Sequence, residues 1–320
     1  MSTPPGTPPQ TDEPAAFCDL HLHSTASDGT DAPQDLPRLC QAAGLSAFAL
    51  TDHDTTAGVA ACGAAARKLK IDFVPGIELS ANPDLDGDGR PVGSLHLLGH
   101  FIDPDHPHLA EISERLRRAR AERNPLIIEK LNQLGVRITY DEVLELAAPT
   151  PAPGNGALDR GAFASISSEQ VIVGRPHIGQ VLVNKGYVKS IHEAFAKYIG
   201  SNGAAYARRD LLSAAEAIEA IHAAGGRATL AHPVQLELAN DAELEHTVAR
   251  LVDMGLDGIE TRHSDHTAGD VKRFGRLAER FKLLTTGGSD YHGSRKSIAL
   301  GSQRVPWSVY DQLRSASANA

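Results

Sequence analysis

The sequence predicts an α/β fold in which seven short strands alternate with helices, forming a parallel sheet that is either open or closed into a barrel. Three observations carry that expectation. Short apolar runs recur along the chain, amphipathic segments with clear start signals separate most of them, and polar residues gather where the runs end.

The strands are expected at Phe17 to Leu20, Ala47 to Leu50, Phe73 to Ile77, Leu95 to Phe101, Ala228 to Ala231, Gly258 to Thr261 and Leu283 to Thr286. Helix starts are marked by Pro33 after Asp31, by Pro176 in GRPH, and by capping boxes pairing Thr139 with Glu142, Ser190 with Glu193 and Ser213 with Glu216. Between Phe101 and Ala228 the alternation stops. Helical patterns take over at Leu109 to Leu134, Tyr140 to Ala147, His177 to Lys185 and Glu193 to Tyr198. Residues 104–206 therefore read as an inserted helical subdomain placed to act as a lid, with 17–103 and 207–320 forming the barrel. Residues 1–16 offer almost nothing to bury and are expected to be disordered, and PTPAPGNGALDRGAFAS is expected to be a mobile loop.

Composition narrows the function. A hydrophobic content of 41% in 320 residues supports a substantial core. No apolar run approaches the roughly 20 residues of a membrane span, and the first residues lack the basic and apolar regions of a signal peptide. Cys18, Cys40 and Cys62 form no CxxC pair, which fits a reducing, cytoplasmic setting and small core positions. The net charge of -9 argues against a general grip on duplex DNA. Small phosphorylated ligands remain open, because bound cations would make a pocket locally positive. Histidine is in excess, with 15 against 8 Phe and 6 Tyr, and that excess needs a use.

The histidines fall into motifs. CDLHLHSTASDGT ends a strand in His21 and His23, which share a face because alternate strand residues do, with Asp28 in the loop that follows. LTDHDTT places Asp52, His53 and Asp54 at a second strand end, and FVPGIELSA places Glu78 at a third, after Pro75 and Gly76. LHLLGHF carries His96 and His100 on one side of a strand. TLAHPVQ adds His232, and TTGGSDYHG adds Asp290 and His292 after two glycines that permit close backbone approach. Each motif alone has a bland explanation, such as solvent-facing polarity or a helix cap. Their joint placement at the ends of different strands points to one metal-binding mouth.

In order, HLHSTASDGT, TDHDT, GIELS, HLLG, GRPHI, LAHP and GSDYHG resemble the motifs of the PHP (polymerase and histidinol phosphatase) family. The likeness spans about residues 17 to 300 and is to its stand-alone bacterial phosphoesterases, which include nucleoside 3',5'-bisphosphate phosphatases and 5'-3' exoribonucleases. It implies a distorted (β/α)7 barrel with three divalent ions. The first would be held by His21, His23, Glu78 and Asp290, the second by Glu78, His96 and His232, and the third by Asp28, His53 and His292. Asp52 and Asp54 would orient His53 and its neighbours. Mixed imidazole and carboxylate ligands suit Mn, Fe or Zn, with Mn favoured, over an all-oxygen Mg or Ca site.

Such a cluster generates hydroxide from a bridging water and neutralises a phosphoryl group, which is phosphate ester hydrolysis. Glu78 and Asp290 would carry the reaction as ligands, and His263, with His266 beside it, is a candidate acid for the leaving group. Arg123, Arg175, His177 and either Arg208 or Arg209 are candidates for the substrate's phosphate, Arg175 and His177 being favoured by a helix that starts at Pro176. Thr261 and Arg262 stand where members of this branch usually carry an aromatic or aliphatic residue. DLDGDG mimics the start of a calcium loop, but Leu95 occupies the twelfth position where an EF-hand needs Glu.

The leading expectation is hydrolysis of a nucleotide 3'-phosphate or of short RNA. Histidinol phosphate is an alternative substrate, and a non-catalytic metal-bound scaffold is an alternative of another class. An amidohydrolase would need a metal-binding lysine at a strand end, and none is found. Nothing in the sequence fixes an oligomeric state.

Overall fold

The computed structural model describes residues 16–85, 93–148 and 172–318. The N-terminal tail, the Pro- and Gly-rich segment after Thr150 and the central part of the DLDGDG turn lie outside those residues. Among the described residues eight strands form one sheet: β1 (Phe17–Asp19), β2 (Leu45–Leu50), β3 (Asp72–Ala81), β4 (Leu95–His100), β5 (Arg227–Leu230), β6 (Gly258–Arg262), β7 (Leu284–Gly287) and β8 (Val305–Pro306). Their order is β7-β6-β5-β4-β3-β2-β1-β8. The ends meet beyond β1 and β7, where Leu20 N donates to Gly287 O at 3.0 Å, Asp290 N to His21 O at 3.0 Å and His23 N to Tyr291 O at 2.9 Å. The sheet is thus a nearly closed barrel.

Among the described residues ten α-helices accompany it: α1 (Leu36–Ala42), α2 (Val59–Leu69), α3 (Pro107–Gln133), α4 (Tyr140–Ala147), α5 (Arg175–Asn184), α6 (Ile191–Ala194), α7 (Ala214–Ala223), α8 (Asp241–Asp253), α9 (Ala268–Phe281) and α10 (Trp307–Ala318). The boxes at Thr139 and Ser213 form as expected. At Ser190 only the hydroxyl half forms, because the Glu193 carboxylate accepts from Lys189 N instead. Pro33 begins a turn, and α1 starts at Leu36.

Two features depart from a simple parallel alternation. β4 runs antiparallel to both β3 and β5, and β8 adds a short antiparallel strand beside β1. β3 is also longer than its apolar run suggested, pairing with β2 over Asp72 to Pro75 and with β4 over Gly76 to Ala81. Glu78 therefore sits inside a strand and is not a cap beyond one. At the change of partner, a Cβ on Gly76 would lie 2.9 Å from the carbonyl oxygens of both Leu50 and Gly99, so only glycine fits.

Register in β1 and its continuation is fixed by burial. Cys18, Leu20 and Leu22 are fully buried toward the helical layer, while Asp19, His21 and His23 alternate to the other face. Burying each leucine contributes about 1.5–3 kcal/mol, so a one-residue slip that threw both imidazoles outward is strongly disfavoured. A separate apolar core packs the end of α3 against α4, α5 and α6, including Ile127, Leu131, Val143, Ile178 and Leu182.

Candidate metal centre

Glu78 occupies the middle of the barrel mouth. Its Oε1 lies 2.8 Å from His96 Nδ1 and 2.9 Å from His232 Nε2, while its Oε2 lies 2.9 Å from His53 Nδ1, 3.2 Å from His23 Nε2 and 3.4 Å from His21 Nε2. Backbone bonds from Asp54 N to Glu78 O and from Glu78 N to Asp52 O lock the TDHD segment against β3. Asp290 completes this side, its Oδ1 3.2 Å from His23 Nε2 and 3.6 Å from His21 Nε2. On the far side of His23, Asp28 Oδ1 lies 3.2 Å from His292 Nε2, and Asp28 Oδ2 lies 3.9 Å from His53 Nε2.

Candidate ligand atoms thus converge in overlapping sets: His21, His23 and Glu78; His53, Glu78 and His96; and His23, Asp28, His53 and His292. His53 stands between the second and third sets. All nine predicted ligands are brought together. A divalent cation fits the donor set, because His21 Nε2, both His23 ring nitrogens, His53 Nδ1, Glu78 Oε2 and His232 Nδ1 are buried with no hydrogen-bond partner among the described residues.

The reversed direction of β4 explains why His96 belongs here and His100 does not. An antiparallel strand presents its first residues where its parallel neighbours present their last. His96, opposite Ser80, is at the mouth. His100, four residues on, is buried at the other end, where Nε2 donates to Leu20 O at 2.9 Å and burial pushes its pKa down to about 4.

Electrostatics show how tightly the charges are coupled. Burial raises the Glu78 carboxyl, but His53, His96 and His21 outweigh it and hold the group well below its usual range. Asp28 and Asp290 behave likewise, Asp28 through His292 and His53, and Asp290 through Lys296 and His292. Burial lowers His21 and His23, yet the surrounding carboxylates reverse the sign, and His23 rises to about 9. For His232 and His292 burial wins, and both fall to about 4.

Several site residues escaped sequence reasoning. Glu260 on β6 is fully buried; its Oε1 lies 3.1 Å from His21 Nδ1, and its Oε2 accepts from His232 N at 2.8 Å. Donating from Nδ1 to Glu260 leaves His21 Nε2 free to ligate. The signal was a lone acid inside the buried strand GIETR. Lys296 donates to Asp290 Oδ2, and Arg120 forms a buried ion pair with Asp54. His232, Asp54 and Asp290 all adopt positive φ, so strained backbone concentrates at the mouth. Gly288 is needed beside them, since its Cβ would lie 2.4 Å from that of His21.

The remaining candidates divide. Asp52 accepts from Ser24 N, Ser24 Oγ and Ser27 Oγ, pinning the loop between His23 and Asp28, and Asp54 accepts from Ser80 N, Arg120 and Arg209. Both hold neighbouring segments and do not hydrogen-bond His53. His263 accepts from Asp265 N at Nδ1, so the proton of its neutral form sits on Nε2, 3.3 Å from Asp290 Oδ2. His266 instead turns Nδ1 to Thr261 O. Arg209 joins Arg120 at Asp54, whereas Arg208 is exposed. Arg123 is held by Asn124, and Arg175 donates to Ile199 O with its guanidinium over Phe195. His177 is buried at the start of α5, where Nδ1 accepts from Gly174 N.

The PHP domain model matches residues 19–253. The chain belongs to the PHP domain family. A 5'-3' exoribonuclease from Haemophilus influenzae is 31% identical over 88% of this chain and 92% of its own length. A phosphoribosyl 1,2-cyclic phosphate 1,2-diphosphodiesterase from Eggerthella lenta is 32% identical over 90% and 98%, and a 3',5'-nucleoside bisphosphate phosphatase from Chromobacterium violaceum 30% over 87% of each. The crystal structure of a protein from Bifidobacterium adolescentis, described as a metal-dependent phosphoesterase, superposes with a TM-score of 0.78 at 29% identity, covering 94% of this chain and 96% of that one. This PHP chain is a metal-dependent phosphoesterase, and its His, Asp and Glu side chains cluster as potential metal ligands. Among the described residues no helix is long and apolar enough to cross a membrane.

Proposed function

We propose that this PHP enzyme hydrolyses phosphate esters of nucleotides, removing the 3'-phosphate of nucleoside 3',5'-bisphosphates, trimming short RNA, or both. The observation that carries the reading is the set of partnerless imidazole and carboxylate atoms around Glu78, set beside an excess of cationic side chains. Arg120, Arg123, Arg175 and Arg209 influence one another's charge, and Asp54 is the one carboxylate that hydrogen-bonds any of them among the described residues. That surplus suits a substrate with more than one phosphate. His177, at the same helix end, is assigned to the substrate with them.

We assign three divalent ions, manganese first with iron or zinc as alternatives, to His21, His23, Glu78 and Asp290; to Glu78, His96 and His232, with His53 adjoining; and to Asp28, His53 and His292. When bound, such ions activate water and offset phosphoryl charge. The chain's own contributions are to hold Glu78 and Asp290 ionised, to fix His21 through Glu260, and to keep a proton on His263 Nε2 for a departing oxygen. The buried, unpaired cysteines support a reducing, cytoplasmic setting. The described residues within 104–206 serve as the substrate-facing lid in this reading.

The test is phosphate or nucleotide release by Mn-loaded protein from 3'-phosphoadenosine 5'-phosphate and from short 5'-phosphorylated RNA. Release from neither sinks the proposal. The Eggerthella lenta relative favours a second reading, a small cyclic phosphodiester, which turnover of a ribose cyclic phosphate in the same assay would support.

A further inference from the structure

Two cations sit side by side on the turn after His292, and they differ. Lys296 is engaged, its ammonium on Asp290 Oδ2. Arg295 is not: its Nε and Nη1 are buried without a hydrogen-bond partner, making it the one arginine with two such nitrogens among the described residues. Burying guanidinium donors unpaired is costly, so a site that does it is built for an acceptor that arrives with a ligand. The turn itself is firmly seated. Gly293 has φ +67°, a Cβ there would collide with Thr30 Oγ1, and Ser294 N donates to that oxygen at 2.9 Å. Thr30 belongs to the loop that carries Asp28, so Arg295 is fixed relative to the Asp28 end of the centre. It feels the Asp28 charge, and it adds to the repulsion that, after burial, keeps His177 neutral. The Asp28 carboxylate is turned to His292 and His23, and among the described residues it forms no hydrogen bond with Arg295.

Resting on the proposed phosphoesterase reading, we infer that Arg295 is a specificity-determining residue that binds a non-bridging oxygen of a dianionic terminal phosphate, selecting phosphomonoesters over phosphodiesters. A terminal phosphoryl group presents three non-bridging oxygens and close to two negative charges near neutral pH. A diester presents two oxygens and one charge. The extra oxygen needs a donor that the imidazole and carboxylate set does not supply, and Arg295 supplies it at the edge of that set.

The experiment compares wild type with Arg295→Met and Arg295→Lys, each loaded with Mn, on 3'-phosphoadenosine 5'-phosphate and on bis-p-nitrophenyl phosphate. Binding of inorganic phosphate is measured in parallel by calorimetry, and melting temperature without ligand. Arg295→Met is expected to lower kcat/KM for the monoester on the order of 10- to 100-fold, the scale of a charge-assisted hydrogen bond, and to weaken phosphate binding similarly. Diester turnover is expected to change by less than about threefold, with Lys recovering part of the loss. The melting temperature of Arg295→Met is expected to stay level or rise, since an unpaired buried guanidinium is removed. Equal losses on both esters, unchanged phosphate binding, or a clear fall in melting temperature overturns the assignment. If wild type turns over neither ester, the phosphoesterase reading fails, and phosphate binding alone then decides whether Arg295 is an anion seat.

Discussion

The barrel mouth and the arginine-rich face above it are both crowded with buried charge, yet they are balanced differently. Around Asp54 every guanidinium has a protein partner: Arg120 and Arg209 have the carboxylate, Arg123 has Asn124, and Arg175 has a carbonyl and an aromatic face. Around Glu78 the side chains crowd one another while ring nitrogens and a carboxylate oxygen go unpaired. The Arg120–Asp54 ion pair holds α3 to the barrel, and the guanidinium charge that Asp54 does not neutralise remains available to an anion. Unpartnered charge marks where a ligand belongs.

That contrast is broken most directly at Glu78. Glu78→Gln should lower turnover by about three orders of magnitude or more, because one carboxylate faces five imidazoles, and bound metal measured by plasma emission should fall with it. Near-normal activity and metal content would leave the mouth without its assigned role. On the partnered side, Arg120→Ala should destabilise the fold by up to about 3–5 kcal/mol in urea unfolding, since it leaves buried Asp54 with only Arg209 and Ser80. Replacing the whole cluster, Arg120→Met and Arg209→Met with Asp54→Asn, should recover much of that loss; no recovery would mean the ion pairs are not the source of the cost.

A smaller effect tests the boundary between the two regions. Glu260→Gln should keep the fold but weaken metal binding roughly 10- to 100-fold, as loss of a carboxylate that fixes a ligating histidine does. Unaltered affinity in a metal titration would mean that the backbone alone positions His21. The smallest lies away from both. Asp257 binds His222, Arg227 and Ala228 N, and burial opposes but does not overcome the lowering of its pKa. A depressed carboxyl stabilises above its unfolded pKa, near 4, and the stabilisation disappears as pH falls through the folded value. Asp257→Asn should therefore cost about 1 kcal/mol at pH 7 and progressively less toward pH 3, measured by thermal unfolding. A pH-independent cost would assign the effect to packing.

Much of the site was legible because its chemistry is local. His21 and His23 share a face by strand periodicity, and their apolar neighbours Leu20 and Leu22 fix which face. Gly288 announced a close approach that the backbone makes. Glu260 was harder, since an acid within a short strand has no local partner, and its role exists only because β1 and β6 face one interior. Arg120 was harder still: on a helix segment reading RLRRARAER nothing local separates the guanidinium that meets Asp54 from its neighbours.

The sequence by itself determined the βα alternation, the seven principal strands, the residue types gathered at their ends and the kind of chemistry those types support, because periodicity, capping and ligand preference act over a few residues. Only the tertiary structure decided that β4 is reversed, that His96 therefore reaches the mouth while His100 is buried at the opposite end, that Arg209 turns in while Arg208 faces solvent, and that Arg295 Nε and Nη1 are left without a partner among the described residues. Those outcomes depend on strand direction and on contacts between segments far apart in the chain, which no local pattern encodes.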